Sequence, residues 1–234
     1  MTTAIKRQNW LAVGLEFVIV VLGVVIGFQF SLNSGNRADR REEQRILAQL
    51  DAEIAGAIEQ TEQFLRGREL RLELLSQTAQ VIQSDENQDL TAPQCDGIRD
   101  SHVPFFDNVE VQTVDELTNS GATRVLQATG LRGLIFEYSR VHAGNREVML
   151  FIQQSMISLP DNFPNSIRYE ARSDAYGAGI PICNVEAMAA SIEFQNALFG
   201  NIQRVTALRD FTRRELNALV ALRESLNSLN EESE

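Results

Sequence analysis

Cys95, His102 and Cys183 are the first candidates in this 234-residue chain for ligating a metal or, for the cysteines, forming a covalent cross-link. A structural zinc site draws its ligands at short spacings such as C-x-x-C or H-x-x-x-H, and the chain has neither, so no metal is expected. Its two cysteines fit a disulfide in an oxidising compartment instead. The simpler alternative is a pair of buried thiols in a reducing one. Lys6 is the only lysine, which excludes Schiff-base, Walker-type and Ser-Lys chemistry from everything beyond the first residues. Asp115, Glu116, Asn119, Ser120 and Arg124 gather around a Ser-Gly break in a helical stretch. They could form a partner or ligand site. Helix capping beside a glycine that permits close packing explains them with fewer assumptions. No carboxylate pair and no nucleophile with a base emerges. The chain is therefore expected to be no enzyme and to hold no cofactor.

Charge narrows the partners. The chain carries 21 basic and 32 acidic residues, a net charge of −11. Only Lys6, Arg7 and Glu16 of these precede residue 36, so the remainder is strongly acidic. Nucleic-acid surfaces are basic, which argues against a nucleic-acid partner. An acidic body is also repelled by an anionic lipid surface.

Residues 10–31, WLAVGLEFVIVVLGVVIGFQFS, dominate the start of the chain. A bilayer core needs about 20 apolar residues in a helix. Glu16 is the only charge in the run, and Trp10 stands at its edge, where indoles favour the headgroup level. A cleaved signal peptide has a shorter apolar region and a small-residue cleavage site. The run therefore reads as an uncleaved transmembrane helix. Ala12, Glu16, Gly23 and Gly27 share one helical face, and Gly23 to Gly27 is a small-xxx-small ridge that lets helices approach closely. A carboxyl on that face avoids lipid by facing protein or water. These four residues are the expected interface of a homo-oligomer or membrane partner. The alternative is that Glu16 snorkels to the headgroups. The arginines after the run, Arg37, Arg40, Arg41 and Arg45, favour a cytoplasmic C-terminal part. The short basic leader 1–9 and the cysteines favour the opposite, and the expectation is a cytoplasmic leader with a periplasmic body in a bacterial inner membrane.

Beyond the span, residues 36–84 hold no proline. Leu47, Leu50, Ile54, Ile58, Thr61, Leu65, Leu72, Leu75, Ala79 and Ile82 recur mostly three or four apart, one buried helical stripe with a gap at Arg68. Gly35 is the one weak point where this helix could part from the span. Residues 85–112 lose the period and form a long connection. Thr113 and Glu116 fit a T-x-x-E capping box for a short helix that breaks at Ser120-Gly121. Residues 131–158 look helical again. Residues 159–183, with Pro160, Pro164 and Pro181, read as a second loop. Asn184 caps a last helix whose stripe is Met188, Ile192, Leu198, Ile202, Val205, Thr212, Leu216, Leu219 and Leu226. No strand signal is present. The fold class is all-α: an N-terminal transmembrane helix continuing into a four-helix-bundle-like domain over residues 32–230, with a disordered tail at 231–234. If the first and last long helices run antiparallel, both loops lie at one end of the bundle and Cys95 meets Cys183 there.

Three stretches carry a family resemblance: the span ending GVVIGFQF, the segment DELTNSGATRVLQATGLRGLIFEYS at 115–139, and IEFQNALFGNIQRV at 192–205. In this order they resemble a family of uncharacterised bacterial single-pass membrane proteins. Members of that family have a span with an early Glu and an "LIALQ"-like end. They also have an "EL-x-x-SG…LR-x-x-I-x-x-YY" segment and a late "EF-x-N" helix. Here Tyr138 is followed by Ser139 rather than a second Tyr, and SLNSGN replaces an "NNWN" after the span. The resemblance implies an anchored helical protein and no particular activity.

Two functions follow as expectations. One is a membrane-anchored scaffold or accessory subunit acting by oligomerisation and contact with a membrane or periplasmic protein. The other is a periplasmic sensor bundle that binds a ligand and signals through a membrane partner. A polar pocket between the middle helices would favour the sensor, and a solid bundle the scaffold.

Overall fold

A computed structural model describes residues 10–84, 88–103, 109–170 and 179–233; the side chains of 10–13, 25–38, 230, 232 and 233 lie outside that description. Helix makes up 82% of the structure, so the all-α class holds, with two short strands added. In chain order the elements are α1 (Trp10–Gln83), α2 (Ala92–Arg99), α3 (Gln112–Ser120), α4 (Thr129–Ser155), α5 (Leu159–Asn162), β1 (Ile167–Glu170), β2 (Ile180–Cys183), α6 (Val185–Ala190) and α7 (Ile192–Ser233). A 3₁₀ turn, Ala122–Val125, follows α3.

The chain forms two compact units, Met1–Ala48 and Gln49–Glu234. The first unit is the opening part of α1, which passes Gly35 without a break. Between residues 15 and 24 its apolar side chains are exposed, from Val21 at 41% to Phe17 at 69%. Among the described residues no helix is long and apolar enough to cross a membrane. The expected transmembrane helix is therefore not found. The exposed apolar run from Leu15 to Val24 is, at 1.5 Å per residue, about half as long as a bilayer core is thick.

The second unit is built on three long helices. The α1 stripe buries Leu50, Ile54, Leu72, Leu75, Ala79 and Ile82, as its spacing predicts. The gap at Arg68 is not a gap. Arg68 is 4% exposed and donates from Nη1 to the Leu208 carbonyl of α7 at 3.2 Å. One cluster joins Leu72, Leu75, Ala79 and Ile82 of α1 to Phe194, Ala197, Leu198 and Val205 of α7. As residue numbers rise on α1 they fall on α7, so the two helices run antiparallel. The α4 helix meets α7 the same way: His142 lies against Glu215, and Ser155 against Arg204. Hence α1 and α4 run in the same direction. Helix α3 is the short fourth member.

Several local expectations are corrected. Residues 85–112 are not all connection, because α2 forms there with Thr91 and Gln94 as a capping box. Thr113 does not start α3. Val111 is its N-cap, and Thr113 lies inside the helix, where Glu53 of α1 accepts from the Thr113 N–H at 2.8 Å and from its hydroxyl at 2.9 Å. A carboxylate from another helix thus occupies the electropositive N-terminus. Residues 159–183 contain a hairpin, with Ile167 opposite Cys183 and Tyr169 opposite Pro181. Four-residue strands with a proline give too short an alternation to read, and a two-stranded ribbon tolerates the missing N–H at an edge. Gly179 fits closely here, since a Cβ would lie 2.8 Å from that of Tyr169.

The last helix is two helices. Asn184 caps α6 as expected, its side chain accepting from the Ala187 N–H at 3.1 Å. Ser191 then breaks the run, and its hydroxyl accepts from the Phe194 N–H at 3.1 Å. The break changes the phase, so Ile192 is 70% exposed and Phe194 is fully buried in its place. Helix continues to Ser233, through most of the expected disordered tail. Gly121, at φ 70°, ends α3 in the left-handed conformation that favours glycine.

Glu53 gives this fold a pH signature. Burial opposes its charge, but the Thr113 N–H, the Gln49 amide and the Thr113 hydroxyl outweigh it and hold the carboxyl below its ordinary value. Its contribution is therefore complete above the unfolded value of about 4.3 and fades as pH falls through the lower folded one. Glu53→Ala should cost about 1 kcal/mol at neutral pH in chemical denaturation, the usual worth of a cap. The difference from wild type should shrink towards about pH 3. An equal cost at both pH values would refute the role of the charge.

Candidate functional site

The two cysteines come together as the antiparallel arrangement requires. Cys95, on α2, and Cys183, at the end of β2, stand at disulfide distance, with Cα atoms 5.8 Å apart. Around them the bundle end is tied down by side chains reaching backbone. Arg71 of α1 donates to the carbonyls of Asp100 and Val103 in the turn after α2. Asn201 of α7, fully buried, accepts from the Ile157 N–H at 3.0 Å and donates to the Ile157 carbonyl at 2.8 Å and the Ser101 hydroxyl at 2.9 Å. It thereby satisfies buried polar groups of two connections at once.

The other candidate residues stand apart from the cysteine pair. Asp115, Glu116, Asn119, Ser120 and Arg124 are all exposed. The Ser120 hydroxyl donates to the Glu116 carbonyl at 2.6 Å and accepts from the Ala122 N–H at 3.2 Å, while Arg124 turns back to the Gly121 carbonyl at 3.4 Å. These are local contacts that close a helix end. Of the four span residues, Glu16 and Gly23 are exposed, and no atom lies within 4 Å of a Cβ built on Gly23. The side chains of Ala12 and Gly27 lie outside the described residues.

The concentration of buried polar chemistry lies elsewhere, between α4 and α7. Glu215, at 6% side-chain exposure, accepts from His142 Nδ1 at 2.6 Å on one oxygen. Its other oxygen accepts from the Asn145 amide at 3.2 Å, and that amide also donates to the Phe211 carbonyl at 3.0 Å. Tyr138 stacks on the His142 ring at 5.8 Å between centroids, and its buried hydroxyl has no hydrogen-bond partner. Arg68 and Thr212 share the Leu208 carbonyl one turn away along α7. Tyr138, His142 and Asn145 recur at helical spacing on α4, and Glu215 falls in the α7 stripe. In the sequence they read as parts of apolar faces. The signal that could have found them is the polar residue standing at a core position of each face.

Electrostatics follow from this packing. The bond to Glu215 raises the His142 imidazole above its ordinary value. Burial opposes the rise, and the charges of Glu215, Asp115 and Glu110 add to it. Burial pushes the Tyr138 phenol far up, and the same three carboxylates push it further.

Among the described residues two depressions are open grooves. One, of about 1120 Å³, lies beside the hairpin along Ile82, Arg168, Cys183 and Glu186. The other, of about 570 Å³, runs between α4 and α7 along Val141, Gly144, Val148, Phe211 and Ala218. No group of three His, Cys, Asp or Glu that could hold a metal occurs among the described residues.

The cysteine pair generates a test. A bridge would close a ring with a sequence separation of 88, for which chain entropy gives roughly 4 kcal/mol, often less in practice. Thiol labelling of denatured, unreduced protein should find no free thiol. Reduction should lower the melting temperature, and Cys183→Ser should match the reduced wild type. Two labelled thiols would reject the bridge. In comparisons with known proteins no family model matches the chain, and no curated protein or solved structure matches it.

Proposed function

We propose that this chain is a membrane-anchored helical scaffold or accessory subunit, acting by oligomerisation and protein–protein contact rather than by catalysis. The observation that carries this reading is the exposed apolar start of α1. Leu15, Phe17, Val18, Ile19, Val20, Val21, Leu22 and Val24 are each more than 40% exposed. They occupy every face of the helix. A helix that is apolar all round belongs inside protein or lipid, not in water. The sequence continues apolar through residue 28, long enough with residues 10–13 for the anchor. The body beyond has a filled helical core and open grooves, which suits docking better than enclosure of a small ligand. The cysteine pair is consistent with a periplasmic placement of that body.

The sensor is the second reading. The groove beside the hairpin, large and lined by polar groups such as Arg168 and Glu186, is what favours it. Its lining brings no set of like charges together, which leaves the scaffold ahead.

The test uses the full chain in native membranes. The protein should stay in the pellet after alkaline carbonate washing and dissolve with detergent. Extraction by carbonate alone would defeat the anchor. Cross-linking should give oligomers that Gly23→Ile weakens and Val21→Ile, on the opposite face, does not, because close backbone approach is lost only in the first. Glu16→Gln should assemble like wild type and Glu16→Lys should not. Normal assembly of Glu16→Lys would detach Glu16 from any interface.

A further inference from the structure

The polar layer between α4 and α7 joins a titratable group to a surface groove. Asn145 is the joint. Its amide holds Glu215 on one side and the Phe211 carbonyl on the other, and both Asn145 and Phe211 line the groove. We infer that His142 and Glu215, connected through Asn145, form a proton-operated latch that sets how tightly α4 seats on α7 and so the shape of the groove along Gly144, Val148, Phe211 and Ala218. This inference does not depend on the anchor or on any partner.

The chemistry follows from the groups that surround His142. From α7 comes Glu215, in direct contact. Asp115 of α3 and Glu110 just before it act at longer range, both negative. The α4 helix supplies the stacked Tyr138 phenol. From α1 the charges near this layer are Arg68, engaged with the Leu208 carbonyl, and Glu53, engaged with Thr113. One carboxylate touches the imidazole and two act from farther off, Glu110 being paired with Arg146 of α4 at 3.7 Å, and on balance the layer favours the cationic form. With the proton bound, imidazolium and carboxylate form a charge-assisted hydrogen bond in a poorly hydrated site. When the proton leaves to solvent, the buried Glu215 side chain faces a neutral ring, with only Asn145 giving it an undiminished bond. A buried charge without its partner is costly, and separation of α4 from α7 to admit water relieves that cost.

The sign is fixed by the direction of the shift. The imidazole is raised in the folded state, so the latch is complete below the unfolded value of about 6.5. It weakens as pH rises through the higher folded value. At 19% side-chain exposure His142 exchanges its proton with solvent without global unfolding.

The experiment is a titration of the full chain in detergent. The His142 imidazole, assigned by comparison with His142→Gln, should titrate above about 6.5. Amide exchange over residues 141–148 and 211–218, corrected for intrinsic pH dependence, should accelerate several-fold between about pH 6 and about pH 9. In His142→Gln the acceleration should vanish. A merely structural histidine would instead lower protection equally at both pH values. Glu215→Gln should drop the His142 titration to or below its ordinary value. Should either variant fail to fold, the wild-type measurements suffice. Titration of His142 at or below about 6.5, or exchange in these segments that ignores pH, overturns the latch.

Discussion

The register of α7 is the constraint on which the second unit depends. The helix is read from two sides at once. On one side Arg68 seeks the Leu208 carbonyl, and on the other Asn145 seeks the Phe211 carbonyl and Glu215. Further along, Asn201 must reach both polar groups of Ile157. Apolar stripes alone allow neighbouring helices to slide by a turn at modest cost, because one leucine replaces another. Buried donors and acceptors do not, since each unmatched group costs its desolvation. The polar residues therefore select one alignment out of several that the hydrophobic pattern would accept.

That selection explains which parts of the fold were legible in the sequence. The long helices were, because Leu50, Ile54, Leu72 and Leu75, or Leu198, Val205, Leu219 and Leu226, repeat a helical period that apolar burial enforces. The antiparallel course of α1 and α7 was also legible, through the length of the two stripes, and it brought Cys95 to Cys183. The buried polar layer was not. Arg68, Asn145 and Glu215 are hydrophilic by type, and only a partner on another helix makes their burial tolerable. Nothing in one helix announces that partner. Thr113 shows the same limit from the opposite side. It matched a local capping pattern, yet a carboxylate sixty residues earlier does the capping.

Short-range chemistry also decided more than periodicity suggested. Ser191 has one hydroxyl in a favourable place, and it rotates the whole start of α7 by exchanging Ile192 for Phe194 in the core. A seemingly continuous stripe from Met188 onward concealed the change, because two helices in slightly different phase can present similar apolar spacing. The hairpin escaped for a different reason. Its strands are held by their neighbours, α2 against β2 and α5 against β1, rather than by any strong strand tendency of their own.

The cysteine pair has a mechanical meaning as well. Once bridged, Cys95 and Cys183 turn the segment between them into a closed ring that contains α3, α4 and the first strand, while all of α1 and all of α7 lie outside it. A tension applied to the two chain ends would peel α1 and α7 away but could not draw out the ring. With 88 residues of separation, about 300 Å of contour length would be withheld from extension. A cut anywhere in the backbone of the ring would leave the fragments joined. The two long helices outside the ring are thus the yielding parts, and the ring is a loop of fixed length between them.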